Sequence, residues 1–165
     1  MATILRPGSV GDKAEILNQE GGAPSILSAL SDNSDSTLVT TVSALALTSL
    51  FYLQAHGFIP GTTIASVTLY YRGLIISTAF SFIGVYKRAD DGAEVADTPQ
   101  MDYSLTTHSL EIPAPGGGWT LDELTALQIG ARIRGDGLEL AKMADIWVSV
   151  DDTAPPTFVP HGCIC

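Results

Sequence analysis

Cysteine is nearly absent. The 165 residues hold two, Cys163 and Cys165, both within the last three positions. Thiols placed there cannot cross-link the body of a domain, so stability has to come from a buried core. Basic residues are scarce as well: 8 Lys plus Arg stand against 18 Asp plus Glu, a formal net charge of −10. A protein that holds nucleic acid carries a basic footprint, and its lack excludes nucleic acid as a direct partner. No apolar run reaches the roughly 20 residues of a membrane span. The most apolar stretch, Val42 to Leu53, is interrupted by Ser43, Thr48 and Ser49. The opening Met1-Ala2-Thr3-Ile4-Leu5-Arg6-Pro7 has no apolar core of signal length, so neither a secretory leader nor a membrane location is expected. Charged residues amount to only 16% against 45% hydrophobic, the reverse of a disordered composition. A chain of this length suits one domain.

What is present is alternation punctuated by turns. Ile64–Gly73 is the clearest strand, with Ala65, Val67, Leu69 and Tyr71 on one face and Ser66, Thr68, Tyr70 and Arg72 on the other. Ala79–Lys87, the polar stretch Tyr103–Ile112, Leu127–Arg134 and Leu138–Val150 read the same way. The β-branched cluster at Thr37–Val42 favours a strand through Thr37–Leu53, against a helical pull from Ala44–Leu47. Short extended pieces are expected at Thr3–Leu5, stopped by Pro7 and Gly8, and at Glu15–Leu17. Pro24 suits the first turn of a helix over Ser25–Leu30. Thr120-Leu121-Asp122-Glu123 has the spacing of a capping box, in which Thr120 bonds the third amide and Glu123 reaches back. Roughly eight strands with two short helical turns and no crossover helix predict an all-β antiparallel β-sandwich of jelly-roll type. Its extent is 1–153, including an extended N-terminal segment, and 154–165 forms a tail.

No motif specifies a reaction or a cofactor. There is no Gly-x-Ser-x-Gly elbow, no Gly-x4-Gly-Lys loop and no His-Glu-x2-His. Ser109, His108 and Asp102 make a triad on paper only, because a triad is a geometry. The tail His161-Gly162-Cys163-Ile164-Cys165 is read as free thiols before a disulfide or a metal site, since zinc commonly wants four ligands and wider Cys spacing. Eight acids and no Lys or Arg lie between Asp90 and Glu123. That run is read as solvated loops rather than a calcium site, because Asp90-Asp91-Gly92-Ala93-Glu94 lacks alternating ligands. Trp119, Trp147, Tyr70 and Tyr71 could form a platform for stacking on a sugar, but core packing is favoured: Trp147 lies in a strand, one face of which must meet the core, and Trp119 precedes the cap residue, where it would pack on Leu124. Tyr70 and Trp119 are the stacking candidates kept from this set.

The order of motifs resembles the jelly-roll β-sandwich domains in structural proteins of tailed bacteriophages. The segments that carry the resemblance begin with Thr3-Ile4-Leu5-Arg6-Pro7, the turn Ser25–Leu30 and Ser31-Asp32-Asn33-Ser34-Asp35. Ile59–Val67, Trp119–Gly130 and Ala144–Asp151 follow in the same order, and together they cover residues 2–153. The resemblance implies a virion protein made in the host cytoplasm, acting without catalysis. The favoured role is capsid decoration (cement) as a trimer bound to the major capsid protein. The resemblance does not extend to the tail; Pro155, Pro156, Phe158, Cys163 and Cys165 are candidate partner contacts there because a loose terminal segment can add to a neighbouring sheet. The alternative is a tail or fibre module that binds host glycans through Tyr70 and Trp119.

Overall fold

The structure is a computed structural model that describes residues 2–16, 18–20, 25–41, 43, 45–76, 80–135 and 141–153. Among these residues the strands in chain order are β1 (Ala2–Leu5), β2 (Pro7–Ala14), β3 (Asn18–Glu20), β4 (Leu38–Thr41), β5 (Leu47–Leu53), β6 (Thr63–Ile75), β7 (Ser81–Lys87), β8 (Glu94–Ala96), β9 (Thr106–Ile112), β10 (Gln128–Arg134) and β11 (Ala141–Thr153). Two short helices interrupt them, α1 (Ile26–Ala29) and α2 (Leu121–Ala126). Every strand pairing is antiparallel. The first sheet runs β3-β4-β11-β6-β9, with β1 also on β11; the second runs β2-β5-β10-β7-β8. The chain is therefore an all-β sandwich, jelly-roll-like, with two short helices. No helix among the described residues is long and apolar enough to cross a membrane.

The core forms because one face of each sheet is apolar. β11 turns Ile146, Val148 and Val150 inward, and β6 turns Val67, Leu69, Tyr71 and Ile75 inward; all are fully buried. Facing them from the second sheet are Ile129, Ala131 and Ile133 of β10 with Phe51, Phe82 and Tyr86. The phase of β6 slips at its start. Ile64 is buried and Ala65 exposed, the reverse of strict alternation, because the pairing with β11 shifts register between Asp151 and Asp152. Helix α2 opens with the expected reciprocal cap: Thr120 Oγ1 accepts from Glu123 N–H, while Glu123 Oε2 accepts from Thr120 N–H at 2.8 Å. Ser25 caps α1 with a single bond, its Oγ accepting from Ser28 N–H at 3.1 Å.

Three expectations need correction. Pro7 and Gly8 do not stop the chain; they begin β2, where Pro is tolerated because the strand lies at a sheet edge. Glu15 and Ile16 fall outside any strand, and Leu17 lies outside the described residues. Thr37–Leu53 is two strands in different sheets, β4 and β5. The N-terminal segment is thus no free arm. β1 pairs with β11 in the first sheet, the chain crosses at Arg6, and β2 pairs with β5 in the second.

β2 also straps the outer face of the second sheet. Val10 pairs with Phe51 and Ala14 with Ser49, so Gly11–Lys13 bulge opposite Leu50 alone. Asp12 N–H donates to Gln128 Oε1 at 2.8 Å, and the Asp12 carboxylate pairs with Lys87. Lys13 pairs with Glu94, which also accepts from Arg132 Nη2 at 3.0 Å. By register Leu50 and Val85 flank Gly130 on this outer face, yet neither is exposed. The hydrogen bond from Lys87 holds the Asp12 carboxyl below its ordinary value. Partial burial pushes Glu94 up, but Lys13 and Arg132 outweigh it and the carboxyl also lies low. Carboxylates lowered on folding stabilise above their unfolded values and lose that contribution as pH falls through the folded ones. The urea midpoint is therefore expected to fall between about pH 5 and pH 3, and Asp12→Asn with Glu94→Gln to flatten the decline. An unaltered slope in that double variant contradicts the strap's role.

Candidate functional site

The outer face of the first sheet carries an aromatic arrangement built from three strands' worth of chain. Because β11 turns Ile146 and Val148 inward, Trp147 between them points outward, half-buried. It lies directly opposite Tyr70 of β6, and the two rings are parallel within 7° with centroids 5.4 Å apart. Parallel rings at that separation are offset, an arrangement the quadrupoles of both rings favour. The guanidinium of Arg6, at the crossing between β1 and β2, sits over the other side of Trp147, 5.7 Å from the ring centroid. The result is a ladder of Arg6, Trp147 and Tyr70.

Arg6 is held in place from below. Its Nη1 donates to Asp145 Oδ1 at 2.5 Å and its Nη2 to Asn33 Oδ1 at 3.0 Å. Asn33 takes a left-handed backbone (φ 57°) in the loop after α1, a conformation that Asn tolerates. A register shift between Met143 and Asp145 re-aims β11 at this point, and Ile146 N–H donates 2.9 Å to the same Asp145 oxygen. Asp145 is only 4% exposed. Burial raises its carboxyl above the ordinary value, and the charge of Arg6 offsets this only in part.

Beyond Tyr70 the ladder meets β9, whose residue directly opposite is Ser109. Thr107, Ser109 and Glu111 alternate outward from that strand and are exposed. No ring faces Tyr70 from β9 among the described residues, because Ser109 brings only a hydroxyl. The last ring is bordered by polar groups instead: Ser109 opposite, Thr68 on its own strand, and Glu111 diagonally across.

The remaining candidates fall elsewhere. Trp119 is 9% exposed within the core cluster that also holds Leu124, and its backbone bridges to Ile64. Its ring is not presented to solvent, which removes it from any stacking surface. Pro155, Pro156, Phe158, Cys163 and Cys165, with His161, lie outside the described residues. His108 and Asp102 do meet, Nε2 to Oδ2 at 2.6 Å. Ser109, adjacent on β9, points to the opposite face, so the paper triad lacks its nucleophile. His108 instead stacks on Tyr71, whose hydroxyl donates to Asp97 at 2.7 Å; burial first, then Asp97, hold that phenol above its ordinary value. Asp90 and Asp91 both pair with Arg88. An apolar cleft of about 280 Å³ lies between β2, β5 and α1, walled by Val10, Ile16, Ile26 and Phe51. Its Ser25 and Ser49 oxygens already accept from Ser28 and Ile16 N–H.

The sequence offers Tyr70 and Trp147 among four possible stacking rings, with the core favoured for Trp147, and it does not point to Arg6 or Asp145. The signal for Trp147 was present in the phase of β11, where it alternates with three buried aliphatics. The fold and this face together define an all-β sandwich with a stacked aromatic pair on the outer face of its first sheet. No protein-family pattern and no curated protein match the chain. Among solved structures it is similar to the carbohydrate-binding module CBM35 from Cellvibrio japonicus Abf62, with a TM-score of 0.46 and 13% identity over 94% of this chain and 99% of that one.

Proposed function

We propose that the chain is a non-catalytic recognition module that binds glycan through the outer face of its first sheet, within a tail or fibre structure of a tailed phage. The observation that carries the reading is the Arg6–Trp147–Tyr70 ladder, which ends on a half-buried tyrosine bordered by hydroxyls and a carboxylate. A sugar has apolar C–H faces and a polar rim, and recognition needs both a flat ring and convergent hydrogen-bonding groups. Here the sheet holds the ring rigidly, so little side-chain freedom is lost on binding. The virion setting comes from the resemblance of the ordered motifs alone. A glycan array, followed by titration of the best ligand, tests the reading. Tyr70→Ala is expected to weaken binding about tenfold, the equivalent of one good ring contact, with the urea midpoint little changed, while Tyr70→Trp retains it. Saturable binding indifferent to Tyr70→Ala, or no glycan binding at all, rules the reading out.

A second reading, capsid decoration through the major capsid protein, is favoured by one observation. β9 ends the first sheet with no strand beyond it among the described residues, and such an edge accepts a neighbour's strand. Truncating Met1–Asp12 cannot test that role cleanly, since it deletes β1 and most of β2. Co-sedimentation of the intact chain with tailless capsids separates the two readings: a decoration protein is carried down with them, and a tail or fibre module is not.

A further inference from the structure

We infer that the sugar taken at Tyr70 bears a free amino group, bound as its ammonium by Glu111; this rests on the glycan-binding reading above. The charges around Tyr70 decide it. Both neighbouring cations are already engaged: Arg6 by Asp145 and Asn33, and Arg72, two residues along β6, by Asp35 at 2.8 Å. Glu111 is exposed on β9 and makes no ion pair or side-chain hydrogen bond among the described residues. Further along the face Asp151 accepts from Ser66 and adds a second negative charge. A carboxylated sugar would meet uncompensated acid and, among the described residues, no unpaired cation here, on a chain of net charge −10. A cationic sugar meets the complementary field.

The spacing fits one ring. Tyr70 and Glu111 are diagonal neighbours across an antiparallel pair, since Tyr70 faces Ser109 and Thr68 faces Glu111. Diagonal residues lie about 7–8 Å apart, which leaves room for a pyranose over the tyrosine with one substituent turned to the carboxylate. An ammonium there also lies beside the tyrosine face, where the ring quadrupole attracts a cation. Thr68 and Ser109 remain for the hydroxyls.

The test is calorimetric titration of the full chain at about pH 6, where an amine of ordinary pKa is protonated. The probes are glucosamine oligomers, N-acetylglucosamine oligomers of equal length and galacturonate oligomers. Glucosamine oligomers are expected to bind about threefold to fivefold tighter than the acetylated ones, as one exposed charge pair allows, and galacturonate weakest. Glu111→Gln is expected to erase the amine preference, whatever it does to the affinity for the acetylated probe; Tyr70→Ala is expected to weaken binding of both probes. Added salt is expected to shrink the preference. If the acetylated probe binds equally or better, or the preference survives Glu111→Gln, the inference is overturned while the glycan reading stands. If no sugar binds, both fall.

Discussion

Replacing Arg6 with alanine is expected to lower folding stability by about 3 kcal/mol at neutral pH, the scale seen when one partner of a buried pair is removed. An exposed ion pair contributes far less. The difference lies in what is left behind. The Asp145 side chain is 5% exposed and that of Arg6 21%, and without the guanidinium the carboxylate keeps only the Ile146 N–H. Burial already raises the Asp145 carboxyl against the pull of Arg6, and loss of Arg6 raises it further. A carboxyl whose folded value exceeds its unfolded one destabilises the folded state where it is ionised. That penalty is relieved as pH falls through the raised value towards the ordinary range near 4. The Arg6→Ala variant is therefore expected to regain stability on mild acidification, against the trend set by Asp12 and Glu94. Urea unfolding followed by tryptophan fluorescence measures this, and Trp147 itself reports loss of the overlying guanidinium. Replacing both Arg6 and Asp145 by apolar residues is expected to recover much of the deficit, because no charge is then stranded. A single-variant loss below about 1 kcal/mol would show that water reaches Asp145 freely.

The same contact shows what could and could not be read from the sequence. Local patterns carry local structure. Ile146, Val148 and Val150 fix which side of β11 is core, and Thr120 with Glu123 fixes where α2 begins. Whether a strand stays in its sheet is not a local property. Nothing within Thr37–Leu53 says that β4 and β5 belong to opposite sheets; only their partners, β11 and β10, decide it. β2 was hidden because Pro7, Gly8 and Gly11 are turn residues in isolation, and its strand character comes from pairing with β5. The candidate site is less legible again. Arg6 and Asp145 are 139 residues apart in the chain, and the ladder exists only because β11 pairs with β6 in one register. A slip of one residue in that register would send Trp147 inward and dissolve the ladder.

Register is what Gly130 protects, so Gly130→Ala is expected to be the most damaging single-methyl change in the second sheet. A Cβ there would lie 2.0 Å from the Ser49 carbonyl oxygen and 3.0 Å from Leu50 Cα. Those are backbone atoms of the strand paired with β10, so the clash cannot be relieved by a rotamer. β5 and β10 must separate locally, and the Gly11–Lys13 strap that crosses this face must lift with them. Overpacking costs about 1–3 kcal/mol where side chains can yield, and the upper end or beyond is expected here. Gly84→Ala provides the graded comparison. Its Cβ would meet the Tyr71 ring at 2.3 Å, a side chain that can tilt, though at the expense of its hydrogen bond to Asp97 and its stacking with His108. Gly116→Ala and Gly117→Ala are the controls, since a Cβ at either meets nothing within 4 Å; these are expected to stay within about 0.5 kcal/mol of the parent. The order expected from urea midpoints is Gly130→Ala lowest, Gly84→Ala next and the loop variants near parental. If Gly130→Ala unfolds no more easily than Gly117→Ala, β5 and β10 are not paired in this register. The inward set of Ile129, Ala131 and Ile133 would then need another partner, and the core facing β6 and β11 would have to be rebuilt around it.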